Sequence, residues 1–259
     1  MHIDKLLSLK GKVAVVIGGA GKIGFPMAEA LAEAGALVYI ASSHEDSYEM
    51  AVQKLLDAGL KARGIRLDMS DEKSVLLALK VIEQDSKIPD ILINSGCSRP
   101  MRKFMEDSVE NWDLSMSVNA RGIFVTCRSF ANAMAEQGTG SIINISSIYG
   151  MVAPDMNIYE GSDFETEPDY PFIKGGVIMF SKYLASYYAK KGVRVNCIAP
   201  GGFFNNQPEP FLTNYVNKVP LGRMACHDDI KGAALFLSSK ASEYITGHVL
   251  PIDGGWTIV

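Results

Sequence analysis

Val13-Ala14-Val15-Val16-Ile17-Gly18-Gly19-Ala20-Gly21-Lys22-Ile23-Gly24 runs from an unbroken apolar stretch into a glycine-rich turn. An apolar run without polar alternation is the pattern of a strand covered on both faces. The alanine-rich stretch 25–34, with Gly35 behind it, reads as the helix that follows. Strand, tight turn and helix in that order present backbone N–H groups at the positive end of a helix dipole, a seat for a phosphate. A glycine cluster alone can mean no more than a tight turn. Its place behind an apolar first strand favours nucleotide binding through Gly18, Gly21 and Gly24.

The same alternation repeats outward from this unit. Strands are expected at 37–41, 62–67, 90–94, 141–146, 193–198 and 249–252; helices are expected at 45–58, 71–85, 109–137 (as one helix or two), 171–191 and 228–237. Right-handed crossovers between such strands give an α/β fold, a doubly wound (Rossmann) parallel sheet of about seven strands with helices on both faces. Ligands of that fold bind beyond the C-terminal strand ends, and Gly18, Ser42, Asp68, Asn94, Ser147 and Pro200 all fall at such ends. Two stretches, 148–169 and 199–226, break the rhythm. Long irregular loops in a compact domain are usually functional, so both are expected to cover a substrate. With 259 residues and 47% hydrophobic content, the chain can bury one large core, and 1–259 reads as a single domain.

Composition narrows the function classes. A net charge of -4 without a basic run offers no footprint for nucleic acid or for an anionic membrane surface. No segment reaches the apolar length of a membrane span. Cys97, Cys127, Cys197 and Cys226 lack Cys-x-x-Cys spacing and read as free thiols of a reducing compartment, so a cytoplasmic location is expected. His2, His44, His227 and His248 lack ligand spacing, and no metal site is expected. A small-molecule partner fits best.

Tyr170 and Lys174 stand four apart near a helix start, hence on one face of that helix. A fixed cation beside a phenol favours the phenolate, so the pair can donate or accept a proton without a histidine. The same spacing also occurs on solvated helix faces. A hydroxyl at Ser147 could hold the oxygen whose proton Tyr170 moves; its plainer role is to satisfy backbone groups at a strand end.

Taken together, the glycine turn, Asp68, Asn94, Asn119, Ser147, Tyr170 with Lys174, Pro200-Gly201 and Asp253-Gly254-Gly255 resemble, in order and spacing, the short-chain dehydrogenase/reductase family across nearly the whole chain. The resemblance implies an oxidoreductase using NAD(P), with Tyr170 as general acid/base, Lys174 on the nicotinamide ribose, Ser147 on the substrate oxygen, and Asn119 interrupting its helix to hold a relay water. It also implies a cofactor bed. Gly18, Gly21, Lys22, Ile23 and Gly24 would cradle the pyrophosphate, Ser42 and Ser43 the ribose, and Asp68 and Met69 the adenine. Asn94, Ser95, Gly96, Tyr170, Lys174, Pro200, Gly201, Phe203 and Asn205 would line the nicotinamide half, with Ile198 offering backbone bonds to the carboxamide. The closest likeness is to sugar-modifying members, including flagellin-modification oxidoreductases of nonulosonic acid pathways. Gluconate dehydrogenases and 3-oxoacyl reductases come next, and a non-catalytic nucleotide sensor is the alternative from another class. A homodimer or homotetramer through 109–137 and 171–191 is the family habit.

The chain also departs from the family pattern. Ile17 stands in the usual threonine place, Lys22 in that of a glycine, Ser95-Gly96-Cys97 follows Asn94, and about ten extra residues separate Ser147 from Tyr170. At the end of the second strand Ser42-Ser43-His44 carries no acid to repel a 2′-phosphate, which points to NADP over NAD, with Lys22 in reach of the phosphate. Glu160, Asp163, Glu165, Glu167 and Asp169 in the first irregular stretch, with Arg99, Arg102 and Lys103 after the fourth strand, suit a hydroxyl-rich substrate bearing an anionic group. Any one of those charges could equally sit on a solvated loop face.

Overall fold

The computed structural model describes residues 1–163 and 165–259. Its elements run α1 (Ile3–Leu7), β1 (Val13–Ile17), α2 (Gly24–Glu33), β2 (Leu37–Ser42), α3 (Glu45–Asp57), β3 (Ala62–Arg66), α4 (Glu72–Asp85), β4 (Ile91–Asn94) and α5 (Val109–Met116). A π-helical turn (Ser117–Arg121) leads into α6 (Gly122–Gln137), followed by β5 (Gly140–Ile145), α7 (Asp169–Tyr188), β6 (Val193–Pro200), α8 (Phe211–Lys218), α9 (Lys231–Ser238) and β7 (Val249–Ile252). Among the described residues the strands form one sheet in the order β3-β2-β1-β4-β5-β6-β7, every pair parallel. The chain reverses direction across the sheet between β1 and β4, which opens a crevice beyond their C-terminal ends.

Both faces of the sheet are covered, and β1 shows how. Val13, Val15 and Ile17 pack with Val75 and Leu79 of α4, Phe130 of α6 and Leu184 of α7. Ala14 and Val16 face the other way, onto Met27 and Leu31 of α2, Leu55 of α3 and Leu237 of α9. A period-two strand buried on both sides must be apolar throughout, as this one is.

The helix ends follow local chemistry. Asp71 caps α4 by accepting the Lys73 N–H at 2.9 Å, and Gly138 takes the left-handed conformation (φ 74°) that closes α6. The expected strands are all present. Three points differ from the sequence reading. The short N-terminal helix α1 was not expected. The stretch 199–226 is not wholly irregular, because it contains α8, whose Phe211 and Tyr215 share one buried face. The stretch 148–169 includes 3₁₀ turns at Ile148–Gly150 and Met156–Tyr159. Ile148 and Ile158 from the first stretch pack with Phe211, Tyr215, Val219 and Met224 from the second and with Trp256, forming a small separate core over the C-terminal edge.

Candidate active site

Gly18 has φ +72°, and a side chain there would lie 2.7 Å from the Gly96 backbone nitrogen. A Cβ at Gly24 would lie 2.0 Å from the Gly18 carbonyl oxygen. These contacts pack the turn after β1 tightly against both the β4 end and the start of α2. Beside them lies a crevice of about 750 Å³, bordered by Gly18, Gly21 to Gly24, Ser42, Asp68, Ser95, Tyr170, Lys174 and Pro200. Its shape and lining fit a dinucleotide, with bare backbone at the helix start for the pyrophosphate. Ser43, His44 and Ser47 extend the wall past β2, while Asp68 Oδ1 accepts from both the N–H and the hydroxyl of Ser70, at 2.8 and 2.7 Å. At a larger hollow at the opposite sheet edge, Lys12 is engaged on Asp90 and Arg194 on the carbonyls of Leu237 and Ile245.

Helix α7 starts at Asp169, so Pro171 falls in its first turn, where its missing N–H costs no intrahelical bond. Tyr170 and Lys174 therefore share the face turned to the crevice. Lys174, only 8% exposed, donates to the Ile145 carbonyl at 2.9 Å, and its Nζ lies 5.4 Å from the Tyr170 ring centre. Ser146 donates to the Lys174 carbonyl at 2.8 Å, clamping the helix to the end of β5. Ser147 is buried as the cap of the following 3₁₀ turn, its Oγ accepting the Tyr149 N–H at 3.2 Å. Asn119 lies in the π-helical turn, as an interrupting residue should, and is buried. It accepts from Ser98 N–H at 2.8 Å and donates to the Ser98 carbonyl at 2.6 Å and to Ser115 Oγ at 3.0 Å.

The guanidinium of Arg99 lies over the Tyr170 ring, 4.4 Å from its centre, and pairs with Glu167 at 2.9 Å. It is thus committed to the tyrosine rather than sitting loose at the rim. Tyr149 and Tyr159 share a hydrogen bond at 3.2 Å. Burial, followed by the neighbouring Tyr159, pushes the Tyr149 phenol far above the ordinary tyrosine range, and burial likewise raises Tyr159. Both serve as neutral hydrogen-bonding hydroxyls near pH 7, not as bases.

Several expected site residues are placed elsewhere. The Asn94 side chain points into the core, donating to Asn144 Oδ1 at 2.7 Å, so β4 offers the crevice Ser95 and Gly96 instead. The Ile198 carbonyl accepts the Ser146 N–H at 2.8 Å, which turns that peptide toward β5. Phe203 is buried in a bridge to Ala225, and its carbonyl accepts from Gln207 at 2.7 Å. Lys22 stays on the crevice wall, but it donates to the Phe204 carbonyl and, at 2.7 Å, to Asn205 Oδ1, so it ties the glycine turn to the second loop instead of reaching past β2. Among the first loop's acids, Glu165 accepts the Phe104 N–H at 3.0 Å, Glu167 holds Arg99 and Asp169 is buried; Glu160 and Asp163 are exposed. Sequence reasoning missed Ser115 and the inward turn of Asp169, because a lone serine and a loop acid give no signal until the fold joins them.

This fold and crevice define a nucleotide-binding protein of the Rossmann class. The chain belongs to the short-chain dehydrogenase/reductase family: a family model described as enoyl-(acyl carrier protein) reductase matches residues 18–257. It is 35% identical to 2,5-dichloro-2,5-cyclohexadiene-1,4-diol dehydrogenase LinX of Sphingobium indicum, over 96% of this chain and 98% of that one. It is also 35% identical to the 3-oxoacyl-[acyl-carrier-protein] reductase FabG of Chlamydia muridarum, over 95% and 98%. A gluconate 5-dehydrogenase from Burkholderia cenocepacia, solved in complex with NADP and tartrate, superposes with a TM-score of 0.91 at 29% identity, covering 100% of both chains. The protein is an oxidoreductase of a family that uses NAD(P) and acts on small molecules. Among the described residues, no helix is long and apolar enough to cross a membrane and no cluster of ligating side chains could hold a metal ion.

Proposed function

We propose that this enzyme interconverts an alcohol and a ketone on a hydroxyl-rich, anionic small molecule of the sugar-acid class, with Tyr170 as the general acid/base. The observation that carries this reading is the convergence of Tyr170, Lys174 and Arg99 in one crevice whose far end is the glycine turn. When bound, the nicotinamide supplies the hydride acceptor or donor. Lys174 holds positive charge beside the phenol, so Tyr170 can take the hydroxyl proton during oxidation or return it during reduction. Ser147 is the donor proposed to steady the substrate oxygen, and Asn119 the residue that fixes the wall behind it. Arg99 adds a cation that a carboxylate on the substrate can approach.

The relatives span a diol, a 3-oxoacyl thioester and gluconate, and the charged Arg99 and Glu167 beside Tyr170 favour the sugar acid over the acyl chain. They do not bear on the flagellin-modification likeness. NADP is favoured over NAD because Ser42, Ser43 and His44, with no acid among them, line the crevice past β2. We further read the chain as one domain, as cytoplasmic, and as a homodimer or homotetramer. The assembly reading rests on Phe124 of α6 and Phe172, Met179, Tyr183 and Tyr187 of α7, all exposed. The decisive experiment compares D-gluconate oxidation with NADP against NADPH-dependent reduction of a 3-oxoacyl thioester. Efficient turnover of the thioester, with none of gluconate or related sugar acids, would overturn the substrate class.

A further inference from the structure

Asp169, the residue before Tyr170, is 3% exposed. Its Oδ2 accepts the Ser115 hydroxyl, and among the described residues its Oδ1 has no hydrogen-bond partner. A carboxylate can only accept, so Ser115 must turn its proton toward Asp169 and offer its lone pairs to Asn119 Nδ2. That choice fixes which end of the Asn119 amide is oxygen. The oxygen accepts the Ser98 N–H and the amide nitrogen donates to the Ser98 carbonyl, so both backbone groups of Ser98 are held. The next residue is Arg99, whose guanidinium lies on the Tyr170 ring. The contacts close a circuit that leaves Tyr170 through its backbone neighbour and returns to it through its ring.

We infer that Arg99 is a second cation acting on Tyr170, and that Asp169, through Ser115, Asn119 and Ser98, is a positioning residue that holds Arg99 over that ring. The inference rests on the reading of Tyr170 as the acid/base group. A cation on a tyrosine face is attracted by the ring quadrupole, and more strongly once the ring carries the charge of a phenolate. The groups facing Tyr170 are Lys174 on its own helix, Arg99 with its partner Glu167, and the Tyr149 phenol; Tyr159 and Cys97 adjoin Arg99. Glu167 offsets part of the Arg99 charge without cancelling it, because the guanidinium and not the carboxylate lies over the ring.

The test needs neither substrate nor cofactor. Tyrosinate ultraviolet absorbance is titrated in the full-length protein, and the Tyr170 component is taken as the difference from Tyr170→Phe. Arg99→Met should move the midpoint of that component upward by roughly half to one pH unit, a three- to tenfold loss of phenolate at fixed pH. Arg99→Lys should restore most of the shift. Ser115→Ala, which removes one hydroxyl and does not touch the ring, should reproduce part of it. An unchanged midpoint in Arg99→Met overturns the second-cation role, and an unchanged midpoint in Ser115→Ala overturns the positioning role of Asp169. Failure of the acid/base reading itself would show separately, as near-parental turnover of Tyr170→Phe.

Discussion

Replacing Gly24 by alanine isolates what the glycine turn contributes. The added Cβ would sit 2.0 Å from the Gly18 carbonyl oxygen, 2.7 Å from the Gly18 carbonyl carbon and 3.0 Å from Gly19 Cα. Comfortable contact begins at roughly 3.5 Å, so the start of α2 and the turn must part by about 1 Å or more. All three contacts are backbone, so no side-chain rotation relieves them. Overpacking of this kind costs about 1–3 kcal/mol, and the upper end applies here. For a chain of this length about 3 kcal/mol lowers Tm by roughly 6–12 °C. The same displacement draws the turn's N–H groups from the pyrophosphate seat, so NADPH affinity should fall about tenfold or more. Gly232→Ala is the control: it lies in α9, away from the α6 and α7 faces read as the subunit contact, with nothing within 4 Å of its added Cβ. That exchange should leave NADPH binding alone and add about 0.5–1 kcal/mol to stability. Calorimetry and NADPH fluorescence titration of the two variants decide the matter. A Gly24→Ala protein with the parent's Tm and NADPH affinity would refute the reasoning.

Tyr170→Phe keeps the ring under Arg99 but removes the proton carrier; turnover should fall about 10²–10⁴-fold, roughly 3–5 kcal/mol of barrier, with NADPH affinity near the parent's. Burial pushes the Cys127 thiol up to about 12 and Cys197 up to about 11, while Cys97 and Cys226 are exposed. A water-soluble disulfide reagent should therefore modify two thiols quickly and the buried pair only on unfolding; rapid reaction of all four would contradict the burial. Asp229 accepts from both Arg223 nitrogens at 2.7 and 2.8 Å and from the Cys226 N–H, which hold its carboxyl well below the usual aspartate range. A depressed carboxyl stabilises above its unfolded value of about 4 and loses that contribution as the pH falls further. Asp229→Asn should thus cost about 1 kcal/mol at neutral pH, with the gap to the parent closing below pH ~4 in denaturant melts. Lys22→Met should raise KM for substrate and NADPH together if the tie to Asn205 links the two loops; a change in neither would remove that role.

Much of this architecture could be read from residue order. The strands announced themselves because a sheet covered on both faces needs apolar runs such as Val13–Ile17 and the three residues 91–93 of β4. The shared face of Tyr170 and Lys174 was legible because their spacing matches one helix turn, and the interruption at Asn119 because its family place coincides with the π-helical turn. The helix α8 escaped notice because its two turns sit among Pro208, Pro210 and Pro220, although Phe211 and Tyr215 already had the right spacing. The partners of Lys22, Arg99 and Asp169 were not legible, for another reason. A charged side chain chooses its partner from residues brought close by the fold, and the partners here, Asn205, Tyr170 and Ser115, lie far off in sequence or face inward against expectation.

The outer strand β7 carries one more consequence. The carbonyls of His248 and Ile252 accept the N–H groups of Cys197 and Gly201 in and just beyond β6, so the even-numbered peptides of β7 face the sheet and the odd-numbered ones face outward. Pro251 is odd-numbered, and it has no N–H to offer an incoming strand. The opposite edge, β3, carries Arg63 and Arg66 around Gly64. A sheet stopped by a proline on one side and flanked by charge on the other is a poor template for another chain. At the high concentrations of a crowded cell, or of a refolding tube, this protein should resist edge-to-edge aggregation, and a Pro251→Val exchange should make that resistance measurable by its loss.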